Sequence, residues 1–389
     1  MPYFRYLNHH LTRQLNELYI STVIFGLAQS MIMIFIPIYL YQLGYSLGQI
    51  LLYFTFHYAA YAILMLITGK IIIKIGYEAS IGWSIPLYGI YLASLFLIPT
   101  FPILFYISAG AWALHKAMYW PAFHADFTEF GNIKARGEEI SSMKVLVGMV
   151  SILGPTIGGF ILMHSGFTLI FIIVMALSFA SLIPLLMSKE KFEPGEFSIK
   201  KMVLGFFKSR YRKDIIANLG TGEDVIAQTV WPIFLLTMLA NYQDVGVITT
   251  IALFVAFLVI LIMGKLANRP ARTRLIKITS AVVSLSWLVR LFSFNWLSIF
   301  ASDALYKASK RTLDVPIQAL IYSRPKDRPL YYIIFREIAL SLGKVIAALL
   351  AYIVIVLTGQ MLLTFALAAV LTLFYFYWTD QIASEKIKG

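Results

Sequence analysis

Four short words in this chain recur in the same order roughly 190 to 200 residues further on, which makes it one unit built twice. Ala28-Gln29-Ser30 returns as Ala227-Gln228-Thr229, and Gly69-Lys70 with Lys74 returns as Gly264-Lys265 with Arg269. Ala113-Leu114-His115-Lys116-Ala117 returns as Ala304-Leu305-Tyr306-Lys307-Ala308, and Arg136 with Lys144 returns as Arg336 with Lys344. Because the order is kept throughout, equivalent segments must fall in two equivalent halves.

Composition identifies the solvent of those halves. Hydrophobic residues make up 60% and charged ones 13%, with a mean hydropathy of +0.79, against roughly a quarter charged in soluble domains. A bilayer accommodates that much apolar surface. Apolar runs of about 20 residues predict twelve spans, near 19–42, 47–69, 79–98, 102–124, 140–163, 167–187, 215–240, 245–264, 276–294, 296–317, 332–357 and 360–379. The expected fold is an all-α membrane protein of two pseudo-symmetric six-helix bundles, residues 1–188 and 215–389, with a hydrophilic linker at 189–214. That linker is basic, from Lys189 and Lys191 through Lys208, Arg210, Arg212 and Lys213, and a surface-lying helix is expected near 199–209. Residues 1–18 carry Arg5, Arg13 and Glu17 and run into a stretch too long for a signal core, so the first span is expected to stay in the membrane. The absence of cysteine excludes a disulfide framework and thiolate metal sites.

Charge distribution orients the bundle. With the N-terminus inside, the outer loops are 43–46, 99–101, 164–166, 241–244, near 295, and 358–359, and they hold no Lys or Arg. The positive-inside rule then puts both termini in the cytoplasm of a multi-pass protein of the plasma (cell inner) membrane. The net charge of +13 reflects orientation against anionic lipid. Its scatter over many short loops argues against nucleic acid as a partner.

A resemblance to a known family rests on Trp120-Pro121-Ala122, Ala125-Asp126, Arg136-Gly137 and Gly154-Pro155-Thr156-Ile157-Gly158-Gly159. On these residues, and over nearly its whole length, the chain resembles the major facilitator superfamily. In that family the last motif is the helix-five signature associated with antiporters. Its physical sense is close helix approach at glycine and a bent axis at proline. The resemblance implies one alternating-access cavity between the bundles. The loop after the second span departs from the family pattern Gly-x-x-x-Asp-Arg-x-Gly: it reads Gly69 to Gly76 with Ile73 at the acid position and Lys74 as the base. The second copy, Gly264 to Arg269, has Asn268 there. Both lack the gating carboxylate.

Ionisable residues inside spans cost about 2.5–3.5 kcal/mol each on insertion scales and tend to face an interior or a water-filled cavity. The fourth span carries His115, Lys116, Tyr119 and Trp120, two adjacent i, i+4 pairs, for which a cavity-lining role and simple packing are both open. In the tenth, Asp303 and Lys307 stand in the favourable acid-before-base order, as cavity residues or as a structural pair. Lys310, Arg311 and Asp314 read as gate or surface pairs. The seventh span has Gly220 and Gly222 ahead of Glu223 and Asp224, which suggests a locally unwound or closely packed section. Adjacent acids cannot share a helix face, so one of the two is expected to point elsewhere or to cap the helix. Gln29 and Gln228 are symmetry-related amides, and Trp231 follows on the same helix. Arg290, near the outer end of the ninth span, reads as snorkelling, and Glu337 beside Arg336 as structural.

No HExxH, P-loop, GxSxG or paired-His metal spacing occurs, so neither an enzyme nor a cofactor is expected. The reading is a monomeric secondary transporter that exports a small organic solute in exchange for protons, with Glu223, Asp224 and Asp303 as candidate proton carriers. Uptake or exchange of an anion is the alternative, because Lys116, Lys307 and His115 are basic centres. A non-transporting membrane receptor or scaffold is the alternative of another class.

Overall fold

The computed structural model describes residues 13–130, 136–187, 195–208, 211–263, 272–322 and 329–378. The first span is α1 (Arg13–Ile32), a 3-10 turn at Met33–Phe35, and α2 (Ile36–Gln42). The irregular turn falls just ahead of Pro37, whose missing N–H cannot continue the ladder. Then come α3 (Leu47–Ile75), α4 (Tyr77–Leu97) and α5 (Leu104–Phe130). Ser46 and Gln49 close a reciprocal capping box at the start of α3. This helix runs six residues past the apolar stretch that ends at 69, until Gly76 at φ 100° closes it by donating to Ile72 O at 3.0 Å.

One continuous stretch, α6 (Arg136–Ala180), carries spans five and six. Gly166, at φ 71° and ψ −173°, turns the chain between them. Replacing Gly166 by Ala is expected to cost about 1 kcal/mol, read as a lower thermal midpoint in detergent. Space is open around that position, so the cost comes from the backbone alone. α7 (Leu182–Leu185) ends the sixth span, and α8 (Ile199–Phe206) lies in the linker. The second half comprises α9 (Arg212–Leu219), a 3-10 turn at Gly220–Gly222, α10 (Glu223–Leu239), α11 (Tyr242–Met263), α12 (Arg272–Val289), α13 (Trp296–Tyr322), α14 (Pro329–Thr358) and α15 (Met361–Thr372).

Among the described residues seven stretches are long and apolar enough to cross a bilayer on those criteria alone, and the 40-residue one, Leu146–Leu185, holds two spans. The remaining spans, on α5, α10, α13 and α15, fall short of those criteria. The first three carry polar groups, and α15 with its 3-10 extension forms a short apolar helix, Met361–Tyr377.

The most extensive contacts between the halves are α3 with α14 and α6 with α11, with smaller ones of α5 with α14 and α2 with α10. The two largest join spans two and eleven, and five and eight; a repeat of six spans equates two with eight and five with eleven, and so turns one pair into the other. In the α6–α11 seam the Thr250 hydroxyl enters the helix ladder beside Pro155, accepting from Thr156 N at 3.1 Å and donating to Ile152 O at 2.9 Å. On the face carrying the linker, Gly69 meets Ile334 and Phe197. There Gly195 N donates to Ile73 O at 3.1 Å, so linker backbone docks where the family pattern has its acid. Lys74 is exposed. Gly264 and Arg269 lie outside the described residues.

Candidate functional site

The glycines ahead of α10 let it lie against α14. A Cβ on Gly222 would meet Gly343 O at 2.7 Å, and one on Gly343 would meet Asn218 O at 2.7 Å. Contrary to the expectation of divergence, Glu223 and Asp224 then converge on a single lysine of α13. Lys310 Nζ stands 2.7 Å from Glu223 Oε1 and 2.9 Å from Asp224 Oδ1. It lies between their two directions, and each acid bends toward it. Lys310 also donates to Tyr375 Oη at 2.8 Å, while Asp314 stands off at 3.9 Å. Lys310, half-buried, is therefore the centre of a charge cluster and not a surface pair.

Glu223 is fully buried. Its Oε2 accepts from Trp287 Nε1 at 2.9 Å and from Tyr306 Oη at 2.7 Å. Asp224 Oδ2 faces Lys344 of α14 at 3.4 Å. Two carboxylates and two lysines thus balance in charge.

A second cluster sits one turn nearer the face opposite the linker. Asp303 pairs with Lys307 one turn on and with Arg290 Nη2, the latter at 2.7 Å. Arg290 does not snorkel: it is fully buried. Its guanidinium lies 3.9 Å from the Trp231 ring centroid, 4.0 Å from Tyr306 and 4.4 Å from Trp287. Trp287 and Tyr306 touch both clusters, so Glu223 and Arg290 are mechanically connected. Trp231 belongs to this bundle interior, packed on Phe234 and Phe365.

The first half contributes Lys116 of α5. Its Nζ lies 4.8 Å from the Tyr58 ring centroid, 5.0 Å from Tyr61 and 5.3 Å from Trp112. Among the described residues it forms no ion pair. The same Tyr58 ring is 5.0 Å from Lys344 Nζ, and its hydroxyl donates across the halves to Gln228 Oε1 at 2.8 Å. Tyr61 likewise crosses to Glu337 Oε2 at 2.8 Å, and Arg336 Nη1 holds Oε1 at 2.9 Å. The lysine brought to Lys116 is thus Lys344; Lys307 stays with Asp303 in its own bundle.

The i, i+4 pairs of α5 separate by function. Lys116 and Trp120 are half-buried, whereas His115 and Tyr119 turn into the first bundle. His115 Nδ1 contacts Ser84 O at 2.7 Å and its ring packs on Phe25 and Tyr88. A 100° step per residue sends the two stripes to different neighbours. Gln29 is half-buried and makes no hydrogen bond to the network among the described residues, and Arg311 is exposed. Beyond Lys116 toward the linker face is a cavity of about 150 Å³ between α5, α13 and α14, lined by Trp120, His124, Gln318, Ile321, Ile333 and Arg336. Sequence reading missed Tyr58, Tyr61, Trp112, Trp287 and Tyr306 as parts of the site.

Residues 18–240 match the sequence profile of the Major Facilitator Superfamily. A crystal structure of the E. coli fucose:proton symporter superposes with a TM-score of 0.68 at 14% identity, covering 96% of this chain and 98% of that one. A crystal structure of a D-xylose–proton symporter gives 0.68 at 12% identity, over 92% and 96%. A third, of a Major Facilitator Superfamily transporter in the outward conformation, gives 0.67 at 13% identity, over 96% and 99%. At these identities the likeness is one of fold. No curated sequence matches the chain.

Proposed function

The chain belongs to the Major Facilitator Superfamily and is a membrane transporter, not an enzyme; we propose that it is a proton-coupled secondary transporter of a small organic solute. Glu223 and Asp224, sharing Lys310 at 2.7 and 2.9 Å, carry this reading. A buried charge cluster is stable only while every charge has a partner, and intramembrane acids mark ion pathways. Protonating one acid of this cluster releases a lysine, and releasing a lysine calls for a proton. That reciprocity is what coupling requires.

The solute site in this reading lies between the halves around Tyr58, Gln228, Lys116 and Lys344, reached past Trp120 from the linker face. One chain supplies all of these groups, so a monomer suffices. The absence of Lys and Arg from the loops opposite the linker favours cytoplasmic termini in the cell's inner membrane. The helix-five motif favours export, while the fold neighbours bear the names of proton symporters. Both directions use the same acids. A second reading, transport of an anion, is favoured by Lys116, which no carboxylate neutralises among the described residues.

Proteoliposomes with and without an imposed pH gradient provide the test, using radiolabelled L-fucose, D-xylose and a panel of organic acids. Wild-type protein is expected to accumulate at least one solute only with the gradient. Glu223→Gln and Asp224→Asn are each expected to abolish accumulation above the external concentration while solute exchange persists. Accumulation by both variants at the wild-type level would remove these acids from the coupling step.

A further inference from the structure

We propose that Lys116 and Lys344 form a clamp for a small organic anion, and that its closure loads a proton on Asp224. The proposal rests on the transporter reading and specifies its substrate class and stoichiometry.

The two lysines come from opposite halves and share one ring. With Nζ atoms 4.8 and 5.0 Å from the centroid of Tyr58, they stand less than about 10 Å apart. Flexible four-carbon stems let both reach one carboxylate. Lys116 needs such a partner. Three aromatic faces at about 0.5–2 kcal/mol each offset part of the several kcal/mol an ammonium loses on leaving water, and none carries the opposite charge. An anion supplies the difference.

Lys344 is the cation free to move. Its contact with Asp224, at 3.4 Å, is longer than those of Lys310 with Glu223 and Asp224. When Lys344 turns to the anion, Glu223 and Asp224 are left with Lys310 alone. Glu223 keeps Trp287 and Tyr306 as donors and Lys310 as its ion-pair partner. Asp224 therefore takes one proton from water, becoming a neutral carboxylic acid, and the total charge of the buried groups with their ligand returns to its starting value. The remaining groups keep their partners: Tyr375 and Asp314 stay on Lys310, and Glu337 stays between Tyr61 and Arg336. One anion and one proton thus bind together and travel together.

Calorimetry in two buffers of different protonation enthalpy counts protons bound per ligand. Probes are acetate, lactate, gluconate, benzoate and inorganic phosphate, each beside a neutral counterpart (acetamide, glycerol, glucose, benzamide). At least one anion is expected to bind with uptake of about one proton while its neutral counterpart does not. Lys116→Gln and Lys344→Gln should each weaken that binding about 30-fold or more, the scale for removing one partner of a buried charge pair. Lys116→Arg should retain it and control for folding. Asp224→Asn should bind the anion with no proton uptake.

Binding of neutral probes alone, binding of none, or proton release on anion binding overturns the clamp. The two readings fail separately: gradient-driven accumulation of a neutral sugar sinks the clamp and leaves proton coupling standing, whereas anion binding without proton uptake sinks the coupling.

Discussion

Lys310→Met is expected to be the most damaging single change in the second bundle. The ammonium carries three protons and has three oxygen neighbours, on Glu223, Asp224 and Tyr375, none beyond 2.9 Å. Methionine fills a similar volume and supplies no charge. Glu223, fully buried, then keeps only the neutral donors Trp287 and Tyr306, and Asp224 keeps only the looser Lys344. Removing one partner of a buried ion pair costs about 3–5 kcal/mol, a large part of ordinary domain stability. Folded yield after size exclusion and the thermal midpoint should both fall sharply. Adding Glu223→Gln to Lys310→Met should restore most of the loss, because the group beside Trp287 and Tyr306 is then neutral and Asp224 and Lys344 remain as one balanced pair. A Lys310→Met protein as stable as wild type would mean that the acids find their charge balance elsewhere.

The same residues explain what sequence reading reaches and where it stops. Twelve spans are legible because hydrocarbon imposes a length and a polarity on each helix. The Asp303–Lys307 pair is legible because i, i+4 is a local geometry. So is the 3-10 turn at Gly220–Gly222, from two glycines ahead of two acids. The convergence of Glu223 and Asp224 is not local. It depends on Lys310 arriving from α13 between their two directions, a fact of bundle packing.

Arg290 illustrates the same limit from the other side. An arginine near a helix end ordinarily reaches toward water. Here Trp231 on α10, Trp287 on its own helix and Tyr306 on α13 enclose the guanidinium, and Asp303 neutralises it. Only the assembled second bundle brings those groups together. The aromatic cage of Lys116 was hidden differently. Tyr58, Tyr61 and Trp112 sit in a chain with 15% aromatic residues, where one more aromatic carries little information. Their meaning comes from the amine they surround.

Gly158→Ala is expected to damage folding, while Gly246→Ala leaves the fold intact and shifts its conformational balance. A Cβ on Gly158 would lie 2.0 Å from Met31 O, and one on Gly154 would lie 1.9 Å from Ser30 Oγ and 2.7 Å from Ser30 C. Both contacts are within the first bundle. A backbone carbonyl cannot rotate aside, so α6 must move off the first span by about an ångström, at the upper end of the 1–3 kcal/mol typical of overpacking. Gly148→Ala in the same helix is the control. Its Cβ would meet only the Phe257 side chain at 3.8 Å, and alanine's higher helix propensity should make it neutral or stabilising.

A Cβ on Gly246 would meet Pro155 O at 2.3 Å, in the seam between the halves. Separating α11 from α6 there relieves the clash without unpacking either bundle, so Gly246→Ala should favour the arrangement in which that seam opens. The chain has no cysteine, so a single Gln42→Cys reports the change directly. Gln42 accepts from the Tyr242 hydroxyl at the face opposite the linker, and its replacement should label faster in the Gly246→Ala background. Equal labelling rates, together with unchanged stability of Gly158→Ala, would show that neither Gly158 on α6 nor Gly246 on α11 sets helix approach.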